Sequence, residues 1–156
     1  MRISHEEKMI LEWTLDLSVG YEMIDHQHRE LFARTSRLFE AMRNGNASTE
    51  IASTVEFLES YVVEHFNDEQ DLMRNNQYPE YPAHCALHDE FVTSLQGFKD
   101  ELQTDSLDKV AAQIMLHLGQ WLLSHVAGAD KELGNYLKSR CALGTLVEST
   151  AWISAT

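Results

Sequence analysis

A histidine and a glutamate lie four residues apart in the second quarter of the chain, and their chemistry suggests a metal site. His65 and Glu69 belong to one apolar row whose spacing of three and four residues is that of a single helical face. The other members of this row are Ile51, Val55, Leu58, Val62 and Leu72. A carboxylate on a buried face is costly unless a positive charge pairs with it. Because the row has no lysine or arginine, we expect a metal ion bound by imidazole and carboxylate together.

Further candidate ligands lie on the apolar faces of other helical segments. They are His28, His84, His88, His125 and Asp130. His84 and His88 repeat the four-residue spacing of the first pair, which places their β-carbons about 5–6 Å apart. Five histidines and two carboxylates that converge from four segments have little besides metal to satisfy their polar atoms. We therefore interpret the seven residues as one metal centre.

The spacing between His125 and Asp130 predicts an irregular turn in their helix. Five residues overshoot one face of a regular α-helix, so both side chains can point inward only if the helix widens to an i to i+5 turn. Gly128 lies between them and would ease such a turn. We predict a π-type turn at this position.

The number of ligands favours two metal ions. Seven ligands are too many for one tetrahedral zinc but suit two ions that prefer octahedral coordination. If Glu69 and Asp130 bridge both ions and a solvent-derived oxygen forms a third bridge, the histidines divide three and two. One ion then has six ligands, and the other has five and an open position for a small molecule. Manganese accepts similar ligands, so the residue types alone leave the metal open.

The other three histidines are predicted to lie outside this cluster. His26 is two residues from His28 and therefore faces nearly the opposite side of the helix, toward solvent. His5 belongs to the N-terminal arm. His117 borders an apolar row ahead of His125, where we expect an ordinary boundary residue.

Four amphipathic helices must position the candidate ligands. Their apolar rows run over about residues 24–42, 51–72, 84–102 and 107–129, and the third row includes Leu87. The signals at their ends are Asn44-Gly45-Asn46 after the first helix, Ser48 as N-cap of the second, Pro82 in the first turn of the third and Ser106 before the fourth. Short loops and the absence of a strand signal predict an all-α fold, an antiparallel up-down four-helix bundle with an N-terminal loop arm.

Length and composition limit the domain count and the partners. Residues 1–138 are predicted to form one bundle domain, and residues 139–156 a C-terminal tail of unknown structure: a docking helix, a partner surface or a disordered end. The net charge of −13 argues against nucleic acid and anionic lipid as partners. No apolar run predicts a signal peptide or membrane insertion, so a cytoplasmic protein is expected. Cys85 and Cys141 are predicted to be reduced thiols.

The chain resembles the bacterial hemerythrins, which are non-haem di-iron, oxygen-binding four-helix bundles. The resemblance covers roughly residues 10–138 and rests on Trp13, the stretch from Asp25 to Phe32, His65-Phe66 with Glu69, Tyr78-Pro79, His84, His88, Phe91, Trp121 to His125, and Asp130. It implies a cofactor of two iron ions with an oxo or hydroxo bridge. By this resemblance three histidines hold the filled iron and two hold the open one, while Glu69 and Asp130 bridge them. The first set is His84, His88 and His125, and the second is His28 and His65.

The resemblance implies reversible O2 binding, as a carrier or store, rather than an enzymatic activity. Apolar residues beside the ligands are predicted to line a dry O2 pocket that excludes water and stray protons, although each alone would also be ordinary bundle core. They are Leu31, Phe66, Trp121, Leu122 and Val126. An O2-consuming enzyme is a possible partner that the sequence does not identify.

Two other functions remain open at this point. One is a peroxide- or NO-handling di-iron enzyme; it is disfavoured because the chain contains no Glu-x-x-His motif of the carboxylate-rich di-iron oxidases. The other is a sensor of O2, NO or redox state that acts through the tail after Lys138.

Overall fold

The fold is a bundle of four helical rods. The computed structural model describes residues 11–147, apart from the side chains of residues 47–49. A short 3-10 helix, Leu15–Leu17, precedes α1 (Glu22–Arg43), α2 (Ala47–Asn75), α3 (Tyr81–Leu102), α4 (Leu107–His125), a π turn (Val126–Asp130) and α5 (Lys131–Ala142). The π turn joins α4 and α5 into the fourth rod. The described residues contain no strand.

Short loops determine the direction of the rods. Only residues 44–46, 76–80 and 103–106 separate consecutive helices, so each rod must run back along the previous one. The contacts close the bundle, because α1 and α3 each contact both α2 and α4. The predicted antiparallel four-helix bundle is confirmed. Of the predicted N-terminal arm, residues 11–20 form a loop with the 3-10 helix, and residues 1–10 lie outside the described residues.

The helix ends agree with the sequence signals at all but one position. Gly45 has the left-handed backbone that was expected after α1, with φ of 72°. Pro82 lies in the first turn of α3, and Ser106 is the N-cap of α4. The prediction of Ser48 as N-cap of α2 was wrong, since the helix begins at Ala47 with Asn46 as its N-cap. Asparagine is as good an N-cap as serine, and here it comes two residues earlier.

The core consists of two apolar clusters. The buried members of the first cluster are Leu11, Leu31, Phe32, Leu38, Phe39, Ile51, Val55, Leu58, Val62, Phe66, Phe91, Leu95, Val110, Ala111, Ile114, Leu118, Leu122 and Val126. Those of the second cluster are Val19, Met23, Ile24, Leu72, Met73, Tyr78, Leu133 and Leu137. On α1, His28 lies between Ile24 of the second cluster and Leu31 of the first; on α2, Glu69 lies between Phe66 of the first cluster and Leu72 of the second. A buried polar layer therefore separates two apolar layers.

Two residues of the predicted apolar rows lie clearly on the outside of the bundle, Leu87 on α3 and Leu107 on α4, and Leu107 is 42% exposed. All seven members of the α2 row are buried, as predicted. On α3 the side chains of His84, His88, Phe91 and Leu95 are buried, but Leu87 is 39% exposed. Its prediction as a core residue was wrong because three residues after His84 the helix has turned to the margin of the face that the other four share. The same prediction for Leu107 was wrong because this residue is the first of α4, at the end of the bundle.

A polar clamp holds the N-terminal arm against α1 and α5. The carboxylate of buried Asp25 accepts hydrogen bonds from the Ser18 hydroxyl and the backbone N–H of Val19, at 2.5 and 2.8 Å. Lys131 Nζ donates to the Ser18 carbonyl oxygen at 2.6 Å. On α5, Gly134 lies directly against the Val19 backbone. The clamp acts on α1 one turn before His28.

The chain after Lys138 remains attached to the bundle as far as it is described. Helix α5 runs through this residue without a break to Ala142. Further on, the Asn76 side chain donates to the Val147 carbonyl at 2.7 Å and accepts from its N–H at 2.8 Å. The domain boundary at residue 138 stays a prediction, and residues 148–156 of the predicted tail lie outside the described residues.

Two predictions from composition can be compared with the structure. Among the described residues no helix is both long enough and apolar enough to cross a membrane. Cys85 and Cys141 are free cysteines, as predicted.

Candidate metal centre

The structure brings all seven predicted ligands into one buried layer. Helix α1 supplies His28, α2 supplies His65 and Glu69, α3 supplies His84 and His88, α4 supplies His125, and the π turn supplies Asp130. None of these residues is more than 4% exposed. The i, i+4 pairs on α2 and α3 place two side chains on one inward face, as their spacing requires.

The ligand atoms form two groups that share both carboxylates. In the first group one atom from each of five residues lies within 4.8 Å of all the others: Glu69, His84, His88, His125 and Asp130. The second group, under the same limit, contains His28, His65, Glu69 and Asp130. The histidines therefore divide three and two, which is the division that two bridged ions need.

Asp130 occupies the position of a bridge between the two groups. Its Oδ2 lies 3.0 Å from His28 Nε2, while its Oδ1 lies 3.0 Å from His125 Nε2 and 3.2 Å from His84 Nε2. Each carboxylate oxygen therefore faces a different histidine group. Because the two oxygens of a carboxylate can bind two metal ions at once, this orientation suits a bridging ligand.

Glu69 contacts both groups through one oxygen. Its Oε2 lies 3.1 Å from His88 Nε2, 3.5 Å from His84 Nε2 and 3.8 Å from His65 Nε2. All five histidines thus direct Nε2 toward the two carboxylates. In the larger group the ring centroids of His84 and His88 are 4.6 Å apart in an edge-to-face arrangement.

Many polar atoms of the layer lack a hydrogen bond within the described chain. Both oxygens of Glu69, both oxygens of Asp130 and both ring nitrogens of His28 and His84 are buried without a correctly aligned donor or acceptor. The short nitrogen–oxygen distances do not change this, because the ring N–H directions miss the oxygens. Native folds rarely tolerate such a cluster. Cations bound between nitrogen and oxygen ligands account for it, so the residues present fit a metal centre.

The charges of the layer also favour cations. Burial acts to raise the pKa of Glu69 and of Asp130, but the surrounding histidines outweigh burial and lower both pKa values. For His84, burial is outweighed by the closeness of the two carboxylates, which raises its pKa to about 9. For His65, burial dominates and lowers the pKa to about 4. Both carboxylates are therefore ionised at neutral pH.

The predicted π turn is confirmed at Val126–Asp130. It allows His125 and Asp130 to face the same layer although they are five residues apart. A Cβ added at Gly128 would meet nothing within 4 Å, and this glycine does not have left-handed backbone. A side chain at residue 128 would therefore meet neither a steric clash nor a left-handed backbone.

Aromatic rings cover the layer on the side of the larger histidine group. Phe66 stacks on His88 with ring centroids 3.7 Å apart, and Trp121 stacks on His125 at 4.2 Å. Leu31, Leu122 and Val126, the other predicted O2-pocket residues, are buried in the first apolar cluster. The structure thus places all five beside the layer, while their role as an O2 pocket stays a prediction.

The remaining histidines lie apart from the layer where the structure describes them. His26 is exposed, as predicted. His117 is half-buried, and its ring contacts Phe91 and Phe98. His5 lies outside the described residues.

Sequence reasoning assigned no role to three polar residues near the layer, Gln27, Asp68 and Asp25. Buried Gln27 contacts His65 Nδ1 through Oε1 at 2.9 Å, and its Nε2 donates to Asp68 Oδ2 at 2.6 Å. Asp25 was missed as the residue that holds the arm. One hint of the contact between Gln27 and Asp68 was present in the sequence, which is that each of them directly precedes a candidate ligand.

This bundle with its buried histidine and carboxylate layer defines a cation-binding four-helix protein. The chain matches the family described as Hemerythrin HHE cation binding domain over residues 19–137, and it belongs to that family. Members of the family hold a di-iron centre, so the predicted cofactor is confirmed at the level of the family, and the buried layer suits it.

Curated relatives match along most of the chain. A bacteriohemerythrin of Stenotrophomonas maltophilia is 25% identical over 130 residues, which are 83% of this chain and 83% of that protein. A bacteriohemerythrin of Methylococcus capsulatus is 27% identical over 83% of this chain and 98% of its own length. A myohemerythrin of Sipunculus nudus is 25% identical over 76% of this chain and 86% of its own length. These relatives support O2 binding in general.

Proposed function

We propose that the protein binds O2 reversibly at a di-iron centre and acts as an oxygen carrier or store. The observation that carries the proposal is the division of seven buried ligands into groups of three and two histidines that share two carboxylates. The ion held by only two histidines would have the open position for a small molecule. When bound, the di-iron centre supplies the electrons and the coordination site that O2 binding requires.

We assign the ligands as follows. His84, His88 and His125 hold one ion, His28 and His65 hold the other, and Glu69 and Asp130 bridge them. The orientation of Asp130, with one oxygen toward His28 and the other toward His84 and His125, supports its bridging role. The contact of Glu69 Oε2 with histidines of both groups supports the second bridge.

The surroundings of the centre favour binding without turnover. Leu31, Phe66, Leu122 and Val126 are each at most 3% exposed, and Trp121 is half-buried beside them. These side chains offer no proton to a ligand in the layer, apart from the indole N–H of Trp121. They would exclude water and its protons from the open position, and they would thereby slow the irreversible oxidation that ends reversible binding.

The experiment that tests this function uses full-length protein loaded anaerobically with Fe2+. Its absorption spectrum is followed while O2 is admitted and then removed under vacuum, over several cycles. A visible band that appears with O2 and disappears without it in each cycle supports a carrier or store. A single irreversible change to the oxidised spectrum contradicts reversible binding and favours an oxidase or a peroxide-handling role.

A sensor role is the second candidate, because contacts connect the layer to the C-terminal segment. The ring of Tyr78 lies 6.4 Å from that of His84 and 5.2 Å from that of Tyr136. The Tyr136 hydroxyl donates to the Asn76 carbonyl, and the Asn76 side chain binds Val147. Hydrogen exchange at the Val147 amide, compared with and without O2 on the iron-loaded protein, tests this. Equal exchange rates in both states would exclude sensing through this segment.

A further inference from the structure

The outer nitrogens of the five inward-facing histidines differ in their hydrogen bonding. Nδ1 of four of them is buried without a hydrogen bond in the part of the chain that the structure describes: His28, His84, His88 and His125. Only His65 has a partner at Nδ1, where the side-chain oxygen of Gln27 lies at 2.9 Å. The single supported ring belongs to the smaller histidine group, where each ligand contributes a larger share of the binding.

Gln27 is itself held by a charged residue. Its Nε2 donates to Asp68 Oδ2 at 2.6 Å, across the α1–α2 interface. A carboxylate oxygen of Asp68 accepts this hydrogen bond, so the amide turns its NH2 group toward Asp68 and its oxygen toward His65. The hydrogen bond to Asp68 therefore fixes which way the Gln27 amide faces.

The amide orientation then fixes the tautomer of His65. An amide oxygen only accepts hydrogen bonds, so Nδ1 of His65 must carry the proton that it donates to Gln27. An imidazole binds a metal in its neutral form, which has a single N–H. Nε2 consequently keeps its lone pair, and this is the atom that faces Glu69.

We propose that Asp68 and Gln27 are positioning residues for the metal bound by His28 and His65. The side chains form a relay in which Asp68 orients the amide of Gln27, and the amide holds His65 with Nε2 free for the metal. This inference rests on the proposed function, because it assumes that the smaller group holds an ion. The affinity for this one ion depends on the relay, whereas the affinity for the other ion does not.

The relay predicts an unequal loss of metal affinity. Removing a hydrogen-bonded partner of a ligating histidine lowers metal affinity by about 10–100-fold. In Gln27→Met the amide is replaced by an apolar side chain of similar length, so we expect that loss for one Fe2+ and little change for the other. Gln70→Met is the matched control, because it makes the same substitution next to Glu69 at a residue outside the relay.

A double variant tests the chemistry of the relay independently of packing. In Gln27→Glu/Asp68→Asn, the new amide on α2 can donate to the new carboxylate on α1, which can still accept the His65 Nδ1 proton. The acceptor for His65 is restored although the positions of the charge and the amide are exchanged. We expect this variant to bind both ions within about threefold of the natural chain, well inside the loss typical of a missing partner.

The measurements are anaerobic Fe2+ titrations against a competing chelator, with far-UV circular dichroism to verify folding. The 1H–15N NMR spectrum of the full-length chain loaded with diamagnetic Zn2+ provides a second measurement. It should show a slowly exchanging His65 Nδ1 proton in the natural chain, the control and the double variant, and a fast-exchanging one in Gln27→Met.

The outcomes separate this inference from the proposed function. Selective loss of one ion in Gln27→Met, with recovery in the double variant, supports the relay. If Gln27→Met binds both ions as tightly as the Gln70→Met control, the relay is overturned while the di-iron proposal stands. If the double variant loses the ion as Gln27→Met does, Gln27 acts through packing and the inference is wrong. If the natural chain binds no Fe2+, both proposals fail.

Discussion

The close approach of α5 to the N-terminal arm makes Gly134 the most informative glycine to replace. A Cβ added there would lie 2.9 Å from the carbonyl carbon of Val19 and closer still to its carbonyl oxygen. These are backbone atoms, so a side-chain rotation cannot relieve the clash. In Gly134→Ala the arm must therefore move away from α5, and the hydrogen bonds that Asp25 and Lys131 make to it are weakened.

The expected loss follows from these contacts. Overpacking that forces a backbone shift costs about 1–3 kcal/mol, and a hydrogen bond to a charged group contributes about 1.5–3 kcal/mol. Alanine offsets about 1 kcal/mol of this loss through its higher helix propensity. Because the hydrogen bonds are weakened and not lost, they add only about 1 kcal/mol, and we expect Gly134→Ala to lower the free energy of unfolding by about 1–3 kcal/mol.

Urea unfolding provides the assay, and a second glycine provides the control. Gly97 is in the interior of α3, and a Cβ added there would meet nothing within 4 Å. Gly97→Ala should therefore raise the free energy of unfolding by about 0.5–1 kcal/mol through the entropy of the unfolded chain. The two substitutions are thus expected to shift the urea midpoint in opposite directions. If Gly134→Ala stabilises the protein as Gly97→Ala does, the reasoning from the clash is refuted.

Three further predictions concern the pocket, the metal centre and the C-terminal segment. Leu122→Ala should open the proposed O2 pocket and speed autoxidation of the iron-loaded protein, measured as the rate at which the O2-dependent band is lost; an unchanged rate contradicts the pocket. The pKa of His84 is raised to about 9, so this histidine must lose its proton when metal binds. The apparent Fe2+ affinity should therefore rise up to about tenfold per pH unit from pH 7 toward 9. Calorimetry in buffers of different ionisation enthalpy should show the proton release, and a pH-independent affinity would contradict the assignment of His84 as a ligand. Asn76→Ala should remove both hydrogen bonds to Val147 and increase hydrogen exchange at its amide; unchanged exchange would mean that other contacts hold the segment.

The parts of the fold and site that follow from local spacing could be predicted from the sequence. The pairs His65/Glu69 and His84/His88 lie inward because the helical repeat determines which residues share a face. The five-residue spacing of His125 and Asp130 likewise predicted the π turn. Leu87 shows the limit of this reasoning, because the hydrophobicity of a residue at the margin of a face does not decide its burial.

Contacts between distant parts of the chain could not be predicted in this way. Gln27 and Asp68 are 41 residues apart, and their hydrogen bond depends on how α1 and α2 are rotated against each other. Asn76 and Val147 are 71 residues apart, and nothing in either local sequence indicates their pairing. A polar residue next to a ligand is equally compatible with solvent exposure, so its partner becomes evident only when the helices are packed.

The π turn also determines how this helix tolerates a change of length. An extra residue in a regular α-helix rotates everything beyond it by about 100°, which would turn Leu133 and Leu137 away from the second apolar cluster. The wider turn absorbs the additional residue within Val126–Asp130, so α4 and α5 keep a common buried face. Deleting one residue within the turn would restore a regular helix and rotate α5 by about 100°, so Leu133 and Leu137 would turn away from the second apolar cluster.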